Sequence, residues 1–141
     1  MMSPLCYSLQ GCPEYRELFS YVLTNLNKYN LAYVHVMDGL AFGYHNQGAE
    51  PFTLDDVRKA YHGNVIGNCG YTKETAEVAL QSGKADAIAF GRDFLANPDL
   101  VERFAQGWPL SPMLPMALWY GSEADPDVRT GYVDQPAYKA A

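Results

Sequence analysis

Residues 65–104, VIGNCGYTKETAEVALQSGKADAIAFGRDFLANPDLVERF, constrain the fold more than any other stretch of this chain. They read as strand, glycine turn, helix, strand, glycine turn, helix. The apolar run at 64–67 ends in Asn68-Cys69-Gly70, and Thr72, with Glu74 and Thr75, supplies cap chemistry for a helix over 72–82. Gly83 stands where a helix stops. Residues 85–90 are almost entirely apolar, as a parallel strand covered on both faces requires. That run ends in Gly91-Arg92, and Asn97-Pro98-Asp99 then opens a further helix with proline at its first position.

Strands that alternate with helices predict an α/β fold with parallel pairing and right-handed crossovers. The C-terminal ends of parallel strands share one rim, so the turns at Gly70 and Gly91 face the same place. Backbone N–H groups at these glycines and the Arg92 guanidinium form a candidate phosphate cradle. In an eight-stranded α/β barrel the phosphate site follows strands seven and eight. A plainer alternative stands beside this: each glycine makes a tight turn, and Arg92 is a surface ion-pair partner. Cys69 is either a reactive thiol or a small residue tolerated beside the turn.

Upstream, residues 13–29 carry a helical stripe of Tyr15, Leu18, Phe19, Val22, Leu23 and Leu26, which predicts packing against a sheet. Residues 31–37 predict a buried strand in which His35 is either a catalytic histidine or, the plainer reading, a hydrogen-bonded core histidine. The glycine-rich loop at 39–51 holds Phe42, Tyr44, His45 and Asn46, either bordering a pocket or lying on the surface. Thr53-Leu54-Asp55-Asp56 opens a short capped helix that ends at Tyr61. Downstream, Gly107, Pro109, Pro112 and Pro115 break regular structure, and the apolar run at 116–120 ends in Trp119-Tyr120.

A composition that is 48% hydrophobic and 18% charged is that of a folded chain rather than a disordered one. With 141 residues, however, it is too short for a closed barrel of about 250. A net charge of −6 argues against nucleic-acid or anionic-membrane partners. No apolar run approaches the roughly 20 residues that span a bilayer, and no basic-then-apolar leader opens the sequence. The three cysteines, Cys6, Cys12 and Cys69, fit neither a metal-ligand spacing nor a disulfide framework, so a reducing cytoplasmic setting is expected. The three histidines are scattered among different elements, and no metal site is expected.

Ala89-Phe90-Gly91-Arg92, followed by Ala96-Asn97-Pro98-Asp99-Leu100 and Arg103-Phe104, resembles the C-terminal part of the old yellow enzyme family. Gly67-Asn68-Cys69-Gly70-Tyr71-Thr72 before it, and Trp119-Tyr120-Gly121 and Gly131-Tyr132-Val133-Asp134 with Pro136 after it, fall in the family order. The match reaches back through residues 31–36 to Ser3-Pro4, nearly the whole chain. The resemblance implies a partial TIM (β/α)8 barrel made of C-terminal strands and helices only. It would be a single fragment over 1–141, with a loop at 1–12, βα units at 13–115 and a C-terminal tail at 116–141. It implies an FMN-dependent ene-reductase that uses NAD(P)H to reduce the activated C=C bond of an enone. By the same resemblance, Cys69, Gly70, Gly91 and Arg92 hold the FMN phosphate, Cys69 through its backbone, and Tyr120 borders the substrate. The family's substrate-anchoring histidine and asparagine, or two histidines, and its proton-donating tyrosine belong to an N-terminal half that is expected to be absent here. Met1 stands where the family has a flavin-contacting arginine, Trp119 where it usually has phenylalanine, and residues 122–130 lengthen a family link. A complementary N-terminal half or a homo-oligomer is therefore expected to cover the open barrel edges. The alternatives are a non-catalytic remnant that self-associates through those edges, and a phosphate-binding barrel fragment without flavin.

Overall fold

The computed structural model describes residues 13–38, 51–119 and 134–139. The chain divides into two compact units, residues 1–89 and 90–141. In the first unit, helices and strands alternate: α1 (Tyr15–Leu26), β1 (Val34–Met37), α2 (Leu54–Ala60), β2 (Val65–Asn68), α3 (Lys73–Gln81) and β3 (Ala87–Ala89). The strands form one parallel sheet in the order β1-β2-β3. Val34 pairs with Val65 and Met37 with Asn68, while Ile66 pairs with Ala87 and Asn68 with Ala89. The C-terminal ends of all three strands therefore lie along one edge of the sheet.

The alternation of side chains along a strand decides what the sheet buries. Val34 and Val36 of β1 and Val65 of β2 pack with Leu23 of α1 and with Phe52, Leu54, Val57 and Tyr61 around α2. The intervening His35, Met37, Ile66 and Asn68 are half-buried. The stripe on α1 is narrower than its spacing predicts: Leu23 is buried and Tyr15, Phe19 and Leu26 pack against the core, but Leu18 is 51% exposed. β3 also departs from expectation. It spans three residues rather than six, with Ala87 exposed and Ile88 and Ala89 half-buried. At its start the Asp86 carboxylate, not a backbone carbonyl, accepts the Val65 N–H at 2.7 Å, and past Ala89 the chain turns to Gly91, which caps the next helix, so the ladder is short at both ends. The first strand likewise begins at Val34, not at residue 31, and the helix ahead of it runs over Tyr15–Leu26 inside the expected 13–29.

Local chemistry sets the helix boundaries where side chains can cap. Thr53 opens α2 with a reciprocal box in which the Asp56 carboxylate accepts the Thr53 N–H at 3.0 Å. Thr72 does the same for α3 with Thr75, and Gly83, at φ +72°, follows the Ser82 C-cap.

The second unit contains α4 (Arg92–Ala96), α5 (Leu100–Gln106) and a 3₁₀ turn, Met116–Leu118. The helix expected to open at Pro98 begins instead at Leu100 with Asp99 as its N-cap, and α4 comes before it. The cause is Asn97, 1% exposed, which breaks the run. Its amide donates to the Asp93 carbonyl at 2.8 Å, and its oxygen accepts the Ser111 N–H at 2.7 Å. Arg103, 4% exposed, donates to the Asp99 carboxylate and to the Pro109 carbonyl, each at 2.7 Å. The other Asp99 oxygen accepts the Tyr138 N–H at 2.7 Å, and the Tyr138 ring stacks on Trp108 at 4.8 Å.

Burial opposes the Asp99 charge, but the Tyr138 N–H and the Arg103 guanidinium outweigh it and hold the carboxyl below the usual carboxylate range. A lowered folded value means that the ionised group stabilises the fold above the ordinary carboxylate range. That contribution is lost as pH falls through the folded value. Acid titration of a Trp119→Phe chain should therefore shift Trp108 emission as Tyr138 leaves the indole, and Asp99→Asn should show the shifted emission already at neutral pH. A pH-independent Trp108 signal would show that the pair does not hold the tail.

Candidate functional site

The C-terminal edge of the sheet carries the Cys69–Gly70 turn and Asp38. β2 runs into Cys69 and Gly70, and both adopt left-handed backbone, at φ +81° and +72°. Gly70 takes that conformation at little cost, whereas Cys69 carries a Cβ there and is the only non-glycine residue with positive φ among those described. Cys69 is half-buried, and Gly70 is exposed. Tyr71 and the Thr72 cap of α3 follow at once, so the turn is fixed at the helix start.

Beside it, Asp38 ends β1. Its carboxylate is buried at 7% exposure and accepts the Tyr71 hydroxyl at 2.6 Å, while its backbone N–H donates to the Asn68 carbonyl at 3.0 Å. Burial, reinforced by this bond and by the negative charge of Asp38, pushes the Tyr71 hydroxyl far above its ordinary range, so it stays a protonated donor. Nothing in the sequence marked this pair, because the partners lie 33 residues apart.

His35 sits on β1, and its Nε2 is buried without a hydrogen-bond partner among the described residues. The expected hydrogen-bonded core histidine is thus not found at that nitrogen. Burial lowers the proton affinity of the ring below the ordinary histidine range.

In the second unit, Gly91 is the N-cap of α4 and Arg92 its first residue. Gly91 has φ −104°, and a Cβ built there meets nothing within 4 Å. Glycine is therefore not needed for the turn itself; it leaves the backbone uncovered. The Arg92 guanidinium lies 5.4 Å from the centre of the Trp119 ring, and the indole N–H donates to the Leu114 carbonyl at 2.8 Å. That contact ties the arginine to the segment leading toward Tyr120. Tyr120 itself, the loop residues Phe42, Tyr44, His45 and Asn46, and Cys6 and Cys12 lie outside the described residues. Among the described residues there is no group of three His, Cys, Asp or Glu side chains that could hold a metal ion, and no helix long and apolar enough to cross a membrane.

The NADH:flavin oxidoreductase / NADH oxidase family matches residues 16–111. The chain is 34% identical to 12-oxophytodienoate reductase 2 of Arabidopsis thaliana over 140 residues, covering 99% of this chain and 36% of that protein. It is 34% identical to a probable flavin mononucleotide-dependent alkene reductase of Leishmania infantum, over 96% of this chain and 34% of that one. Among solved structures, the old yellow enzyme from Trypanosoma cruzi superposes with a TM-score of 0.75 at 31% identity, covering 90% of this chain and 31% of that one. The old yellow enzyme homologue from Zymomonas mobilis does so with a TM-score of 0.75 at 32% identity, over 89% and 34%. The chain spans about a third of the length of these relatives. Its parallel βα units are accordingly part of a (β/α)8 barrel, and the chain belongs to the NADH:flavin oxidoreductase / NADH oxidase family.

Proposed function

We propose that this chain is a single C-terminal fragment of a barrel domain and holds the phosphate end of FMN in an NAD(P)H-dependent ene-reductase. The observation that carries this reading is the left-handed Cys69–Gly70 turn at the C-terminal end of β2. The donor set fits a phosphate. Gly70 has no Cβ, the space beside Gly91 is open, and Arg92 brings a permanent positive charge. When bound, FMN supplies hydride transfer to the activated C=C bond of an enone, and NAD(P)H supplies the reducing equivalents.

The chain's own residues bind and orient. The backbone at Cys69, Gly70 and Gly91 donates to the phosphate oxygens, Arg92 neutralises their charge, and Tyr120 borders the substrate. Residues that donate a proton or anchor the substrate carbonyl are assigned to the other half of the barrel. β1 and β3 are sheet edges among the described residues, and Ala87 on β3 is exposed. A complementary barrel half, or a second copy of this chain, would cover them. Three cysteines, an odd count without metal-ligand spacing, suit a reducing, cytoplasmic setting.

The same open edges favour a second reading, a non-catalytic fragment that associates with itself through them. Binding of FMN compared with riboflavin, which lacks the phosphate, separates the two. Arg92→Ala should weaken FMN on the order of tenfold and leave riboflavin unchanged, as expected for the loss of a charge-assisted contact. Equal FMN affinity in the variant and the parent chain would overturn the phosphate reading. An absence of flavin binding by a chain that elutes as a defined oligomer would favour the second.

A further inference from the structure

Asp38 touches the Cys69–Gly70 turn from both sides. Its backbone N–H holds the Asn68 carbonyl just before the turn, and its carboxylate holds the Tyr71 hydroxyl just after it, at 3.0 and 2.6 Å. Between those two anchors lies Cys69 at φ +81°, a conformation that is strained for a residue with a Cβ. Such a backbone persists only where its surroundings hold it. Tyr71 also packs against the hydrophobic core, so the hydroxyl is delivered from a fixed ring. We propose that Asp38 and Tyr71 are a positioning pair, resting on the phosphate reading above, that keeps the Cys69–Gly70 turn in the form able to receive a phosphate.

Neither side chain touches the ligand. The pair acts through the turn, and it makes phosphate affinity depend on a hydrogen bond between the ends of two neighbouring strands. Removing the hydroxyl frees Cys69 to relax toward negative φ and swings its peptide groups away. Glycine at position 69 has no such preference and should not need the brace.

The test is a fluorescence titration of the full chain with FMN and with riboflavin. Tyr71→Phe should raise the FMN dissociation constant on the order of tenfold and leave riboflavin unchanged. Cys69→Gly in the Tyr71→Phe background should restore FMN affinity to within about twofold of the parent. A Tyr71→Phe chain that binds FMN like the parent overturns the proposal, as does equal loss of both flavins or a Cys69→Gly change that restores nothing. Should Tyr71→Phe fail to fold by circular dichroism, Asp38→Asn provides the same test. It keeps an acceptor without the charge, so it should show an intermediate FMN loss, and parental FMN affinity there would overturn the proposal. Arg92→Ala separates this inference from the reading beneath it. If Arg92→Ala loses its preference for FMN and Tyr71→Phe keeps it, only the positioning pair falls. If the parent chain shows no preference for FMN over riboflavin, the phosphate reading falls and takes the pair with it.

Discussion

Leu54→Ala should destabilise the first unit by about 2–5 kcal/mol, the largest loss expected from any single substitution discussed for this chain. Leu54 is 1% exposed and belongs to the cluster that joins α1, α2 and the sheet. It also presses on a position with no side chain of its own. A Cβ on Gly67 of β2 would lie 2.9 Å from Leu54 Cδ1 and 3.0 Å from Ile88 Cδ1. Gly67 is thus a space requirement of the packed layer, and the leucine fills the room that the glycine leaves. The cost of Leu54→Ala combines lost transfer energy with the cavity left behind, because the surroundings collapse only partly. Gly67→Ala alone should also destabilise, since it overpacks that contact. The double variant should cost less than the sum of the two, because the added methyl enters the space that Leu54 vacates. Urea unfolding checks this through the midpoint at constant slope. Strictly additive losses would show that Leu54 and Gly67 do not share a contact.

Arg58→Ala should cost about 2–3 kcal/mol, large for a side chain outside the apolar core. The guanidinium of Arg58, on α2, joins three segments. Its Nε donates to the carbonyls of Gly83 and Lys84 at 3.0 and 3.1 Å, its Nη1 to the Gly63 carbonyl at 2.8 Å, and its Nη2 to the Asp86 carboxylate. The same Asp86 oxygen accepts the Val65 N–H at 2.7 Å, at the first residue of β2. One planar fork thus ties α2 to the chain entering β2 and to the loop between α3 and β3. Removing it strands acceptors that are partly withdrawn from water. Arg58→Lys should recover only a minority of the loss, since one ammonium cannot reach these acceptors together. Asp86→Asn should cost less than Arg58→Ala, because Asp86 is 49% exposed and its amide can still accept from Val65. Equal stability of Arg58→Lys and the parent would reduce Arg58 to a simple surface charge.

Leu54 and Arg58 differ in whether their partners are near or far along the chain. Leu54 is the apolar residue within the Thr53-Leu54-Asp55-Asp56 helix start, so its burial is legible from its neighbours. Arg58 looks like any other charge on a short helix, because nothing local marks the carbonyls it meets 25 and 26 residues away. The same division runs through the candidate site. Gly70, Gly91 and Arg92 stood out because glycines at strand ends and an ordered family motif are properties of neighbouring residues. Asp38 and Tyr71, by contrast, lie 33 residues apart, and no local pattern marks the bond between them.

By itself the sequence determined the alternation of strands and helices, the caps at Thr53 and Thr72, the stop at Gly83 and the family. Each of these rests on interactions within a few residues or on the order of motifs along the chain. Only the tertiary structure decided that Cys69 takes left-handed backbone while Gly91 does not, since φ at a turn follows from what holds its two ends. It also decided that Leu18 faces outward and that Ala87 is exposed, because burial depends on which neighbours an element has. The bond from Tyr71 to Asp38 and the contact of Arg92 with Trp119 belong to the same class. Both join residues far apart in the chain, and packing rather than sequence spacing brings them within reach.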